Sequence, residues 1–296
     1  MIARTSKAKR SRIMIPSKLK IVALLAISAT LTGCGGSSKS SSSTATTTAA
    51  GGGGSAIQAP ASVKSAGSLV FCSDISYPPE EFYKGSTPVG SDIDIGAEIA
   101  KRMGVKAQFD NTGFDGIIPA LQGKKCDAII SGMNDTPARQ KQVAFVDYIN
   151  VGQSFMVKKG NPEGIKGVPD LAGKSASVEV GTTNKDYLDQ QSKKLPKPID
   201  VVTFPKDTDA ANALKTGKVD AYFGDAPVVA YYVKQDPASF TFGGSPINPI
   251  AVGIAIRKSD TELQTAVKAA VDAMYSDGTM AKILGKWQLS STAMKK

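Results

Sequence analysis

The sequence predicts an α/β fold, on three observations. Short apolar runs alternate with segments of helical period, about 230 residues remain beyond an N-terminal region of different composition, and one α/β signature occurs twice. A chain of that size suffices for two lobes or for one large domain. Residues 69–73 are a short apolar run ending in the loop Tyr77-Pro78-Pro79, and they read as a buried strand. Asp92 can cap a helix in which Ile95, Ile99 and Met103 recur at helical spacing, ending at Gly104. Residues 105–109 read as a strand, 114–122 as a short helix stopped by Gly123, and 127–131 as another strand. Thr136 followed by Pro137 is an N-cap with proline at the first helical position, opening a helix through Val143. After a crossover near 150–155 the alternation resumes. It gives a strand at 175–180, helices from Thr183 and over 207–216, a strand at 219–223 and a helix from Pro227. A strand at 251–256 and helices over 260–287 complete the chain. Strand-helix-strand alternation predicts parallel sheets.

The repeated signature is short. Ala120-Leu121, a Gly-Lys turn and Asp127-Ala128 recur as Ala213-Leu214, a Gly-Lys turn and Asp220-Ala221. Each copy ends a helix, turns at a lysine and enters a buried strand that runs out into polar groups: Ser131-Gly132-Met133-Asn134 in one, Gly224-Asp225 in the other. Read as a true repeat, it gives each half of the molecule the same unit. The carboxyl ends of both strands then point at one cleft, the edge at which open α/β sheets bind ligands.

The N-terminal region has another purpose. Seven of the 36 cations and none of the 26 acids precede residue 34, and 21–31 is apolar apart from Ser28 and Thr30. That run is far shorter than the roughly 20 residues of a spanning helix. Residues 1–33 therefore read as a signal peptide. Leu31-Thr32-Gly33-Cys34 resembles the bacterial lipobox, in which the cysteine sulfur carries a diacylglycerol. An ordinary signal peptide with a chance cysteine is the alternative. Without this segment the net charge falls from +10 to +3, since 29 cations face 26 acids. The basic character is mostly in the export signal and makes no case for nucleic acid. From 34 to 65 the composition is mainly Ser, Thr, Gly and Ala, which cannot offset its ordering entropy and reads as a flexible tether.

Two absences narrow the chemistry. The chain has no histidine, which excludes Ser-His-Asp and Cys-His catalysis and histidine-ligated metals. Of three cysteines one is assigned to lipid, so a thiolate cage is excluded, and no metal or cofactor is expected. Cys72 and Cys126 either form a disulfide in an oxidising compartment or remain two buried thiols. What remains favours binding over catalysis.

A set of ordered motifs then carries a family resemblance. They are Asp74-Ile75-Ser76-Tyr77-Pro78-Pro79, Gly90-Ser91-Asp92-Ile93-Asp94-Ile95, Phe114-Asp115-Gly116-Ile117-Ile118-Pro119-Ala120-Leu121, Thr136-Pro137-Ala138-Arg139, Val180-Gly181-Thr182-Thr183 and Phe223-Gly224-Asp225. With Asp127-Ala128-Ile129-Ile130-Ser131 between them, the stretch 69–287 resembles family 3 of the bacterial extracellular solute-binding proteins, the polar amino-acid receptors of ABC importers. The resemblance implies a periplasmic-binding-protein-like type II fold, two α/β lobes joined by a hinge. Lobe 1 would comprise 66–150 plus 252–296, and lobe 2 would comprise 151–251.

It also implies roles. Arg139 matches the arginine that clamps the ligand carboxylate, a geometry suited to a guanidinium fork; a solvated helix cation is the alternative. Asp225 matches the acid that holds the α-ammonium. Thr183 meets the carboxylate at a helix N-terminus, and Ser131 and Asn134 present small polar groups. Gly132 stands where many relatives carry serine. Tyr77 and Phe114 flank the ligand side chain, with core packing the alternative for Phe114, and Asp74 reaches a cationic or amide side chain. Glu80 replaces an aromatic and either acidifies the pocket or lies exposed. The implied partners are a polar, possibly basic, L-amino acid and ABC permease subunits. The protein would be a monomer, anchored by lipid to the outer face of the cell membrane or on the periplasmic side of a two-membrane envelope. The alternatives are a cyclohexadienyl-type dehydratase on the same fold and a sensor reporting to a membrane receptor.

Overall fold

A computed structural model describes residues 57–295; the signal segment, Cys34 and the tether up to residue 56 lie outside the described residues. The expected tether ends early. Residues 57–65 belong to the folded body, because α1 (Ala61–Ala66) buries Val63 and Ile57 packs on the same core. Two apolar side chains in a stretch of small polar ones are enough to dock a single short helix.

The chain continues through β1 (Ser68–Ser73), a hairpin of β2 (Phe82–Lys84) and β3 (Thr87–Val89), α2 (Ser91–Arg102) and β4 (Lys106–Asn111). A 3-10 turn at Phe114–Gly116 leads into α3 (Ile117–Gln122), then β5 (Ala128–Ile129), α4 (Pro137–Gln140) and β6 (Val143–Lys158). Next come β7 (Ser175–Glu179), α5 (Thr183–Ser192), β8 (Asp200–Phe204), α6 (Asp207–Lys215), β9 (Ala221–Asp225) and α7 (Ala226–Gln235). The last elements are β10 (Phe240–Phe242), β11 (Ile247–Arg257), α8 (Thr261–Ser276) and α9 (Thr279–Lys286). No helix among the described residues is long and apolar enough to cross a membrane.

In α2 the period of four does what it predicts: Ile95 and Ile99 are fully buried beside Phe71 in one core. Each contributes about 1.5–3 kcal/mol relative to exposure. Asp92, however, is not the cap. Gly90 holds the N-cap position, and Asp92 turns inward to accept hydrogen bonds from Gly132 N at 2.8 Å and Tyr148 Oη at 2.7 Å. Thr136 does cap α4, accepting from Arg139 N at 3.2 Å. That helix stops at Gln140 rather than Val143, because Val143 opens a sixteen-residue strand.

The sheet runs β4-β1-β5-β11-β6-β9-β7-β8, with β10 also on β6. It is mixed, which corrects the expectation of parallel sheets. β1 pairs in parallel with β4 and β5, and β7 with β8 and β9, whereas β6 and β11 run antiparallel to their neighbours. β6 belongs to both halves. Its first part, from Val143 to Val151, pairs with β11, and Gln153 to Val157 pair with β9. The two halves are the two α/β lobes, each with its own buried cores. The crossover is therefore a continuous strand, accompanied by a register shift in β11 between Ile247 and Ile250.

The repeated signature has a structural counterpart. Asp127 Oδ2 accepts from Val70 N at 2.9 Å, and Asp220 Oδ2 accepts from Ser175 N at 2.8 Å. Each aspartate thus ties the head of one strand to its parallel neighbour. Cys72 and Cys126 are joined in a disulfide with Cα atoms 5.6 Å apart.

Candidate ligand-binding site

A small cavity lies where the strand ends of the two lobes meet. Asp74, Tyr77, Phe114, Gly132 and Asn134 line it from one lobe, and Glu179, Thr182, Asn184 and Asp225 from the other. Asp74 follows β1, Glu179 ends β7 and Asp225 ends β9, so three carboxyl ends of strands each deliver an acid to one place.

Asp74 is held by its own lobe. Its Oδ2 accepts from Phe114 N at 2.8 Å, and its backbone N donates to Ser131 Oγ at 2.8 Å. Ser131 Oγ in turn donates to Glu81 Oε1 at 2.8 Å. Ser131 is therefore committed behind the cavity wall and does not line it. Burial raises the Asp74 carboxyl, against the lowering effect of its hydrogen bonds. Glu179 lies within hydrogen-bond reach of Asp74 from the opposite lobe, and its carboxyl is raised well above the usual range by burial, then by Asp207 and Asp74. Two carboxyls facing each other across the cavity repel when both are charged, and a cation between them would relieve that repulsion.

Arg139 does not line the cavity but closes its rim. Its Nη1 donates to Asn134 O at 2.9 Å and its Nη2 to Gly181 O at 3.1 Å, while the guanidinium lies 5.2 Å from the centre of the Phe114 ring. Burial pushes its guanidinium down, and the Asp225 charge opposes that. Thr183 Oγ1 donates to Asn134 Oδ1 at 2.6 Å, across the lobes. Thr182 rather than Thr183 caps α5, accepting from Lys185 N at 3.2 Å. Asp225 N donates to Tyr77 Oη at 3.3 Å, and Asn184 Nδ2 donates to Asp225 Oδ1 at 3.2 Å. Burial lifts the Asp225 carboxyl to about 6, with Asn184, Tyr77 and Arg139 pulling it down.

Two close contacts at the site require glycine, one within the first lobe and one between the lobes. Gly132 has φ 48°, and a Cβ there would meet the Tyr77 ring at 3.1 Å; at Gly181, φ 80°, a Cβ would come within 2.9 Å of Asp115 Cα. A serine at position 132 would crowd this tyrosine.

Most of the residues expected at the site are brought together: Asp74, Tyr77, Phe114, Asn134 and Asp225 around the cavity, Arg139 and Thr183 at its rim. Glu80 fits neither of its two readings. It is buried at 1 % exposure, outside the cavity lining, its carboxyl raised well above the usual range by burial, Asp92 and Asp225. Glu179, Asn184 and Thr182 were missed. A charged residue ending a buried strand just before Val-Gly-Thr-Thr is the signal that could have identified Glu179.

Comparison with known proteins shows the family and the fold. Residues 69–290 match the family described as bacterial extracellular solute-binding proteins, family 3. The putative ABC transporter arginine-binding protein 2 of Escherichia coli (strain K12) is 31 % identical over 234 residues, covering 76 % of this chain and 93 % of that protein. Among solved structures, an ancestral arginine-binding protein bound to arginine is 40 % identical with a TM-score of 0.71, covering 75 % of this chain and 98 % of the other. The ancestral amino acid-binding protein AncCDT-1, a precursor of cyclohexadienyl dehydratase, is 36 % identical with the same TM-score of 0.71, covering 76 % and 97 %. A match over most of the chain, in sequence and in fold, means that this protein belongs to the bacterial extracellular solute-binding proteins, family 3.

Proposed function

We propose that this protein is the substrate-binding component of an ABC importer and closes its lobes on a polar L-amino acid with a cationic side chain. The observation that carries the reading is the charge set at one cleft: three carboxyls, Asp225, Asp74 and Glu179, line the cavity, and the Arg139 guanidinium closes its rim. A basic amino acid brings one carboxylate and two cations, which that set complements. Arg139 and Thr183 take the carboxylate and Asp225 the ammonium. Asp74 and Glu179 take the side-chain cation between Tyr77 and Phe114. The arginine-binding relative and the arginine-bound ancestral structure support this choice. The protein works as a monomer, is exported, and is tethered through a lipidated Cys34 so that it can deliver ligand to permease subunits in the same membrane. Loss of fatty-acid labelling in Cys34→Ala checks the anchor; unchanged labelling refutes it.

Calorimetric titration of the twenty protein amino acids tests the ligand. Arginine or lysine is expected to bind tightest. Asp74→Asn and Glu179→Gln should each weaken that binding by about 1.5–3 kcal/mol, the range of charge-assisted hydrogen bonds, and spare neutral amino acids. Binding of neutral or acidic amino acids alone overturns the cationic assignment. Glu179, its carboxyl raised well above the usual range by burial beside Asp74, also has the makings of a general acid, and AncCDT-1 shares the fold. Turnover of a prephenate-like acid would establish that second reading; the clamp of Arg139, Asp225 and Thr183 and the absence of histidine favour the first.

A further inference from the structure

Three side-chain amides form a chain that begins on the crossing strands and ends on Asp225. Asn248 Nδ2 donates to Gln153 Oε1 at 3.0 Å, Gln153 Nε2 to Asn184 Oδ1 at 2.7 Å, and Asn184 Nδ2 to Asp225 Oδ1 at 3.2 Å. Gln153, Asn184 and Asp225 are all buried. Gln153 is where β6 changes partners, opposite Ile247 of β11 on one side and Asp225 of β9 on the other. Asn248 stands in the register shift of β11 with φ 49°, a left-handed conformation that asparagine tolerates better than most residues.

An amide has an acceptor end and a donor end, so each link sets the orientation of the next. The donor from Asn248 occupies Gln153 Oε1 and leaves Gln153 Nε2 facing Asn184. That occupies Asn184 Oδ1 and turns Asn184 Nδ2 to the carboxylate. The chain runs one way, and its last donor favours the ionised form of Asp225.

We propose that Gln153, supported by Asn248, is a positioning residue for ligand binding: it holds Asn184 in the orientation that keeps Asp225 ionised and ready for the ligand ammonium. This rests on the reading of Asp225 given above. The other groups facing Asp225 are Arg139, Tyr77 and Asn134, which favour its ionisation, and Asp207 and Glu80, whose charges oppose it. Burial is the largest influence and leaves the carboxyl at about 6. Losing one favourable donor raises it further, so binding is lost as pH falls and restored as pH rises.

The experiment is calorimetry on the full protein at pH 5.5, 7 and 8.5, using the tightest binder among the twenty amino acids as probe. Gln153→Met removes both ends of the amide at similar length. A rise of one pKa unit from about 6 would give about an eightfold larger loss at pH 5.5 than at pH 8.5. Asn248→Gly keeps the left-handed backbone and frees Gln153 to turn; it should show the same trend at smaller amplitude, and it decides alone if Gln153→Met does not fold. Asp74 and Glu179 titrate in every variant, so the variant-to-wild-type ratio isolates Asp225. A ratio constant across pH makes Gln153 merely structural and overturns the proposal, while leaving the amino-acid reading standing. Wild-type protein that binds no amino acid overturns both.

Discussion

The two lobes contain the same α/β unit, secured differently. In each, a helix ends in Ala-Leu, a lysine-bearing turn follows, and an aspartate at the head of the next strand bonds the backbone of its parallel neighbour. In the first unit a disulfide lies beside the aspartate. Pairing of Phe71 with Ala128 and of Ala176 with Ala221 puts Ser177 and Val219 at the corresponding places in the second. There Ser177 Oγ donates to Ala210 O at 2.7 Å, and Val219 is buried in the core. The carboxylate recurs and the staple does not. The aspartate is thus part of how the unit is built, whereas the disulfide is an addition to one copy. The charges the lobes present also differ, Arg139 and Asp74 from one and Asp225 and Glu179 from the other.

The largest effect should come from removing one charge on either side. Arg139→Ala and Asp225→Ala should each weaken amino-acid binding by about 2–5 kcal/mol, the penalty for leaving a buried charge unpaired, or roughly 30-fold to several thousand-fold. Ligand-induced compaction in small-angle scattering should vanish with both, because only a ligand touching both lobes favours the closed state. Tight binding with compaction in either variant would break the two-sided clamp. Next in size is the staple. Replacing Cys72 and Cys126 together by serine should cost about 4 kcal/mol for a separation of 54 residues. Hydrogen exchange should quicken in β1 and β5 while β7 and β9 keep their protection; equal quickening in both lobes would erase the contrast. Smallest are the paired aspartates. Asp127→Ala and Asp220→Ala should each lower stability by about 1–2 kcal/mol in denaturant titration, and a large inequality would reduce the repeat to a coincidence of sequence.

What could be read from the chain was what depends on local spacing. The Thr136-Pro137 cap located the short helix that carries Arg139, whose place at the cleft came only from the family resemblance, and the polar residues after two buried strands marked Asn134 and Asp225. Pairing was harder. The stretch 150–155 has polar and glycine interruptions at Asn150 and Gly152 and reads as a crossover; it becomes part of one strand, Val143–Lys158, only because β11 and β9, distant in sequence, supply its partners. The same holds for the disulfide, which depends on Phe71 lying opposite Ala128. Glu179 reads as the end of a strand, and nothing in sequence reveals that Asp74 meets it from the other lobe. Glu80 shows a different failure: a charged residue in a Pro-rich loop normally faces water, and here it is buried near Asp92 and Asp225.

The shared strand has a consequence for how the chain is made. Synthesis proceeds from the N-terminus, and β5 and the first part of β6 wait for Ala255, Ile256 and their neighbours in β11 before the first sheet is joined. The strands β7, β8, β9 and β10, by contrast, all lie between residues 175 and 242 and find their partners among themselves and β6. The second lobe can therefore condense while the first still has an open strand edge, an aggregation hazard for any nascent chain. The lobe that begins first in sequence is the one that must finish last.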